Sequence, residues 1–248
     1  MTKRGSADVA FFTINGQSVL GTLTELTEDR SAILERSDTL ADAWEEYTYA
    51  GVRMAELTQE GFFDDAAGSV HDALSSGPGI SKVLTYGISG NASDRNFTGW
   101  AGAIEVNYER IFSRDDFTKA RATYKNNGPV DNGNIILSER TVTASNNNLT
   151  QAWDNGASST GGIFYWQQIL SSGVAPMNAK VRHSSDALSW ASICQTASSS
   201  SPRGERVVTT GTVERYLAVQ WDTDLAGTTN PSYTIHAGFA RKPTSNIP

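Results

Sequence analysis

Residues Ala55 to Leu74 read AELTQEGFFDDAAGSVHDAL. An extended run from Arg53 to Thr58 leads into Glu60-Gly61-Phe62-Phe63-Asp64-Asp65. A short helix is predicted next, because Val70 and Leu74 stand four apart and so share one helical face. Asp64 and Asp65 precede Ala66-Ala67-Gly68-Ser69, and acids suit the positive end of a helix. Gly77-Pro78-Gly79 then stops it. Just upstream, Leu40 to Ala50 (LADAWEEYTYA) predicts another strand, and it is expected to pair with Val52 to Gln59 across Gly51.

The flanks extend this β pattern. Ala7 to Ile14 is apolar and strand-like, and Asn15-Gly16 is a hairpin signal because both residues accept positive φ. Ser18 to Leu26 alternates, which predicts the second strand of a first hairpin. Thr27 to Thr39 is an acidic connection whose Ala32-Ile33-Leu34 suits a helical turn or the tip of a long projecting hairpin. Lys82 to Ser89, Phe97 to Ser113, Phe117 to Tyr124 and Asn134 to Val142 are predicted strands. The second of these keeps a period of two over most of its length. Asn126 to Gly133 reads as a loop. Ser145 to Gly162 is rich in Ser, Asn and Gly and reads as a boundary. Six short strands are predicted beyond it: Ile163 to Leu170, Asn178 to Ser184, Ser189 to Cys194, Arg206 to Thr210, Tyr216 to Asp222 and Tyr233 to Ala240. Their spacing suits a β-sandwich. The fold class is therefore mainly β, a β domain with one short helix followed by a second β-sandwich-like domain. The division expected is 1–144, a linker at 145–162, 163–242, and a tail at 243–248.

Composition narrows the chemistry. The 248 residues carry a net charge of −7, placed unevenly. Residues 1–138 hold 20 acids against 12 Lys and Arg, about −8, and the remainder is about +1. Glu25, Glu28, Asp29, Glu35 and Asp38 crowd the most acidic segment. A nucleic-acid-binding protein needs a basic footprint, and this sequence has none. Cys194 is the one cysteine, so an intrachain disulfide is excluded and a small core residue is expected. No run approaches the roughly 20 apolar residues of a membrane span, and no membrane partner is expected. Lys3-Arg4 is followed by Gly5-Ser6-Ala7-Asp8, which predicts no secretory leader.

Catalytic patterns are missing from the sequence. His71, His183 and His236 lie outside any HxH or HExxH spacing. GxSxG, GxGxxG and Walker A sequences do not occur, and we expect neither an enzyme nor a cofactor or metal site. Asp64-Asp65 and Asp115-Asp116 could be drawn as paired carboxylates, but neighbours on a strand face opposite sides, and at turns they serve as caps. Ser184-Ser185-Asp186-Ala187-Leu188-Ser189-Trp190 approximates the Asp-box hairpin of sialidase-like propellers, one residue short and without its Gly. Asp186 then reads as a turn former and Trp190 as core. With Trp166 and Trp221, Trp190 also supports an alternative function, a carbohydrate-binding β-sandwich or adhesin module.

Residues 8–142 resemble the tail tube proteins of bacteriophages with long, non-contractile tails (siphovirus-type major tail proteins). The early hairpin, the acidic connection, LADAWEEYTYAGVRMAELTQEGFFDD, the short helix and the long Trp100–Ile111 strand carry the likeness in that order. HSSDALSWASI, VERYLAVQWD and TIHAGFAR resemble C-terminal regions that follow such domains. The resemblance implies a structural virion protein, assembled in the host cytoplasm and resident in the virion tail. It implies rings, trimeric and pseudo-hexameric or hexameric, stacked into a hollow tube through which DNA is ejected without specific binding. Further copies of the chain, and tape-measure, tail-terminator and distal tail proteins, are the implied partners. Thr27 to Thr39 is the candidate for contact with a neighbouring ring. Glu25, Glu28, Asp29, Glu35 and Asp38 are the candidate inter-ring or lumen-facing acids, since like charge repels phosphate.

Overall fold

Asn15 and Gly16 take φ of 47° and 80°, and the chain reverses there between β1 (Phe11–Ile14) and β2 (Gln17–Ser18). Two central residues with positive φ match the twist of paired strands, which is why this turn joins hairpins. In the computed structural model the described residues are 9–36, 47–65, 70–75, 79–88, 90, 95–112, 114, 116–146, 149, 152–154, 156–172, 176–223 and 232–241.

The hairpin is shorter than its sequence pattern. A 3-10 turn at Leu20–Thr22 diverts the chain, and β3 (Leu23–Arg36) leaves to pair with β4 (Tyr47–Phe62). Of the two conformations open to Thr27–Thr39, the long hairpin is the one formed as far as Arg36. The expected turn at Gly51 is absent. Residues 47–62 run through it as one strand, because β3 offers a partner along the whole length. Ala32 faces Arg53 and Leu34 faces Tyr49, so residues 50–52 oppose residue 33 alone. Glycine inside a strand marks such a bulge.

A short helix, α1 (Val70–Ser75), follows, then β5 (Ser81–Gly87), β6 (Asn96–Ile111), β7 (Lys119–Asn126) and β8 (Val130–Val142). The loop expected at 126–133 shrinks to a tight turn, since β8 begins at Val130. β6 is the hub of the fold. Its first residues, Asn96 to Trp100, pair with β8, and Ala103 to Ile111 pair with β7. The change of neighbour falls at Gly102, whose φ of 73° is open to glycine.

The second half contributes β9 (Trp153–Asp154), β10 (Gly162–Ser172), β11 (Met177–Ser184), β12 (Ala191–Gln195), β13 (Arg203–Thr209), β14 (Tyr216–Thr223) and β15 (Ser232–Arg241). One large antiparallel sheet runs β13-β10-β15-β8-β6-β5-β1-β2, and β7, β4 and β3 branch from β6 in that order. A smaller sheet, β12-β11-β14-β9, lies against it. Between them Phe164, Trp166, Tyr233, Ile235 and Phe239 meet Met177, Ala179, Val181, Leu217 and Trp221. That is the interdigitated core of a sandwich. The polar stretch 145–162 is fastened to the small sheet by β9 and by the bridges Asn146–Trp221 and Ser158–Val213.

The first half has its own core of Phe12, Leu57, Leu74, Tyr86, Trp100 and Tyr124. A third cluster, Phe11, Phe97, Ile135, Ile163, Tyr165 and Ala240, forms the seam between the halves. Polar groups reinforce it. The Tyr165 hydroxyl donates to Asp131 Oδ2 at 2.6 Å, and Arg206 Nε donates to the same oxygen at 3.0 Å. Burial, with Asp131 beside it, holds the Tyr165 phenol well above its ordinary pKa. Gly16 N donates to Gln167 Oε1 at 2.8 Å, and Thr85 Oγ1 lies 2.9 Å from His236 Nε2.

Candidate assembly face

Strands β3, β4, β7 and β6 lie side by side, and their registers stack residues in rows across the sheet. Glu25, Glu60, Arg121 and Glu109 form one row. Thr27, Thr58, Thr123 and Asn107 form the next, and Asp29, Glu56 and Lys125 a third. Alternation sends the intervening residues to the other face. There Leu57, Ala120, Ala122 and Tyr124 are buried with Ala73 and Leu74 of α1. One face is therefore covered by the short helix, and the other is polar.

The polar face is tied together by charge. Arg121 Nη2 donates to Glu60 Oε2 at 2.5 Å and its Nη1 to Glu109 Oε1 at 3.1 Å. Lys119 reaches Glu60 Oε1 at 3.1 Å. Hydrogen bonds from Arg121, then Lys119, hold the Glu60 carboxyl below its ordinary pKa. Thr58 and Thr123 hydroxyls meet at 3.2 Å. Glu25, Asp29, Glu56, Glu60 and Glu109 outnumber Lys119, Arg121 and Lys125 on this face, so it is mildly acidic.

The five candidate acids do not share one environment. Glu25 and Asp29 sit on the polar face. Glu28, one residue out of step, is on the opposite side, where its Oε1 accepts Trp100 Nε1–H at 3.0 Å and pairs with Arg30 at 2.9 Å. Glu35 is in β3 opposite Thr48, and Asp38 lies outside the described residues. Glu56, Glu60, Glu109 and Arg121 were not singled out from the sequence. The alternation Lys119, Arg121, Thr123, Lys125 against Ala120, Ala122, Tyr124 was the signal that could have found them.

The other chemistry-bearing side chains are committed to structure. His71 Nδ1 lies 2.8 Å from the Tyr108 hydroxyl, which fastens α1 to β6. His183 Nδ1 accepts Glu214 N–H at 3.1 Å, and burial lowers its pKa. Full burial pushes the His236 imidazole down to about 3. Burial pushes the Cys194 thiol up to about 12, so it is no nucleophile at neutral pH. Asp116 Oδ1 accepts the N–H of Phe117 at 2.8 Å, a turn role. Among the described residues no group of three His, Cys, Asp or Glu could hold a metal ion, and no helix is long and apolar enough to cross a membrane. Trp166 and Trp221 are sandwich core and offer no platform to a sugar. Trp190, expected in the core, is only half-buried, because it follows an exposed turn and precedes the edge strand β12.

Asp186 makes that turn. Its Oδ1 accepts Leu188 N–H at 2.8 Å, Ser189 N–H at 2.9 Å and the Ser184 hydroxyl at 2.8 Å. The amides of Ser189 and Leu188, then the Ser184 hydroxyl, lower the carboxyl pKa to about 2. A depressed carboxylate stabilises the fold above its unfolded pKa and loses that contribution as pH falls through the folded one. We expect the Asp186 carboxyl resonance to titrate near pH 2 in the native protein. A midpoint near 4, the ordinary value, would show that the turn does not hold the carboxylate.

No family profile matches the sequence, and no curated protein does. Among solved structures, a chain in the tail of an empty gene transfer agent particle, refined with six-fold symmetry, aligns at a TM-score of 0.39 and 13% identity, covering 52% of this chain and 97% of that one. A chain of the native gene transfer agent virion aligns at 0.38 and 14%, with the same coverages. The Dit protein of phage SPP1, described as a paradigm of the hub adsorption apparatus in phages of Gram-positive hosts, aligns at 0.37 and 11%, covering 92% and 98%. Scores at this level do not establish a common fold.

Proposed function

We propose that this chain is a structural subunit of a bacteriophage tail, and that its copies join edge to edge into rings stacked as a hollow tube. The observation that carries the reading is the sheet β3-β4-β7-β6. One face is packed beneath a helix, the other is polar and mildly acidic, and β3 pairs with no strand but β4 among the described residues. A 14-residue strand with one edge unpaired among the described residues is a template for another chain unless something covers it. Closure into a ring removes such edges, as it does in any barrel. The polar face then lines the lumen, where a surplus of carboxylates gives passing DNA no phosphate-binding contacts.

In this reading residues 1–144 are the tube-forming unit. Residues 163–242 are a second β unit, either tube-like, which gives a trimeric pseudo-hexameric ring, or an outer decoration on a hexamer. Glu25 and Asp29 face the lumen, and the far part of the β3–β4 arm, with Glu35 and Asp38, reaches the next ring. Tape-measure, tail-terminator and distal tail proteins are the expected partners. Electron microscopy of concentrated protein tests the whole reading. Hollow tubes whose cross-sections average to three-fold or six-fold symmetry are expected. Protein that stays monomeric at every concentration, or closes with another symmetry, rules the reading out.

A further inference from the structure

The sheet β3-β4-β7-β6 has an open margin on each side. β3 is one. The other is the late part of β6. Ser81 and Lys82 are the last residues of β5 to pair with it, opposite Ile104 and Ala103. From Asn107 to Ile111 it pairs with β7 alone among the described residues. Backbone N–H and C=O groups alternate in direction along a strand, which fixes what each margin offers. Ala55 N donates to Asn126 Oδ1 and Phe63 N to Thr118 O, so the odd residues of β4 turn toward β7. Glu60 O accepts the Thr24 hydroxyl, so the even ones turn toward β3. Carried across the registers, Leu26, Glu28 and Arg30 turn their backbone groups outward from β3, and Tyr108 and Arg110 outward from β6. The Glu28 and Arg30 side chains are held by Trp100 and Asn132 of the same chain, but those bonds use no backbone group of β3. A cleft of about 470 Å³ lies beside them, lined by Glu28, Arg30, Ile88, Asn96, Asn132 and Asn134.

We propose that β3 of one copy pairs with the late part of β6 of the next, with Thr27 opposite Glu109 and Asp29 opposite Asn107. Direction, charge and stagger select this partner and this register. The sheet is antiparallel throughout, so β3 and β7 run one way and β4 and β6 the other. Copies related by rotation about a ring axis therefore bring β6 to β3 antiparallel, like every other pair in the sheet. Sliding the joint by one pleat sets either Glu25 or Asp29 against Glu109, and like charges directly opposite destabilise a strand pair. A slip of one residue sends the polar side chains to the helix-covered side. Two β3 strands paired about a two-fold axis fare worse. Centred on Thr27 they oppose Glu25 to Asp29, and centred on Glu28 or Asp29 they oppose an acid to itself. Such pairs also leave both β6 margins bare. Within one copy Glu25, Glu60, Arg121 and Glu109 share a row, yet across the joint Glu109 meets Thr27. A sheet closing into a barrel needs such a stagger. β13, an open margin of the large sheet, has no polar face to continue. Its neighbour β10 is buried on both sides, with Phe164 and Trp166 in the sandwich and Ile163 and Tyr165 in the seam. The joint rests on the proposed ring for its partner, and it leaves residues 31–36 of β3 to the arm.

Cysteine trapping tests it. Opposite residues at a non-hydrogen-bonded position stand about 4.5 Å apart at Cα, within the roughly 4.4–6.8 Å that a disulfide spans. Within one chain Thr27 and Glu109 are three strand spacings apart, about 14 Å, so a bond between them joins two copies. Thr27→Cys and Glu109→Cys chains are prepared separately, mixed at high concentration and oxidised, with the wild-type chain and its Cys194 as control. The mixture is expected to give severalfold more disulfide dimer than either variant alone. It is also expected to exceed a mixture of Thr27→Cys with Asn107→Cys, which is one pleat out of register. Asp29→Cys with Asn107→Cys is the second in-register pair and leaves the Glu109–Arg121 bridge intact. Circular dichroism confirms that each variant is folded. Thr27→Cys trapping as well alone, the out-of-register mixture trapping as well as the others, or no dimer in any mixture overturns the joint. Hollow tubes without the disulfide leave the ring reading standing with a different joint. The disulfide without tubes supports the joint and overturns the tube.

Discussion

Lys82→Met is expected to lower stability by about 3–5 kcal/mol, the cost of leaving one member of a buried ion pair without its partner. Lys82 and Glu105 are 2% and 0% exposed, and Lys82 Nζ lies 2.7 Å from Glu105 Oε2. The ammonium also donates to Ala73 O at 2.9 Å, so the same charge holds the last turn of α1 against β5 and β6. Tyr124 adds a long hydrogen bond to the same carboxylate oxygen at 3.4 Å. With the ammonium gone, the carboxylate stays fully buried with only the long Tyr124 hydrogen bond to offset its charge. Removing both charges is a different experiment. Lys82→Met with Glu105→Leu leaves no uncompensated ion, and such replacements are often neutral or stabilising. Denaturant midpoints of the two single variants and the double variant measure the coupling. If the double variant is as unstable as Lys82→Met, the loss lies in packing and not in the stranded carboxylate.

Phe97→Ala is expected to cost a similar amount, about 3–5 kcal/mol, and to do so at the seam. Phe97 is 3% exposed. A methyl group added at Gly238 would sit 2.6 Å from its ring, and one added at Gly133 would sit 2.6 Å from the ring and 2.3 Å from Phe239 O. The two glycines are the floor on which this ring lies and the Tyr165 ring meets it edge-on at 5.6 Å, so its removal opens a cavity whose floor has no side chain to fill it. Each half keeps its own core, one around Trp100 and one around Trp166. Calorimetry of the variant is therefore expected to resolve one unfolding transition into two. A single transition, merely lowered, would show that the division near residue 144 has no thermodynamic counterpart.

Much of this architecture was legible in the residues. Asn15-Gly16 marked its turn because few residue pairs tolerate positive φ twice, and the period-two run in β6 marked its strand. Gly51 misled because glycine serves both turns and bulges. Which one forms depends on whether a partner strand runs past it, and β3 is remote from the local pattern. The division of the acids was also hidden. Glu28 and Asp29 are neighbours in a charged run, and only the register with β4 places one on Trp100 and the other on the polar face. Trp190 read as core from its residue type, but the turn built by Asp186 puts it beside an edge strand. Glu105 sat in an alternating strand among polar residues, and nothing nearby announced that Lys82 would be its buried partner.

The change of neighbour at Gly102 has a mechanical consequence. β6 lends its early residues to β8 and its later ones to β7, so the arm, the helix-covered sheet and the sandwich hang from a single strand. A pull on the β3–β4 arm passes sideways through β4 and β7 into β6, then through β8 into β15. Every joint on that path is a ladder of backbone hydrogen bonds, and none is a flexible tether. Force applied at the arm is thus shared among many parallel bonds before it reaches the far sheet. The weakest joint is the five-residue overlap of β6 with β8, and the Phe97 cluster lies over it as a splint.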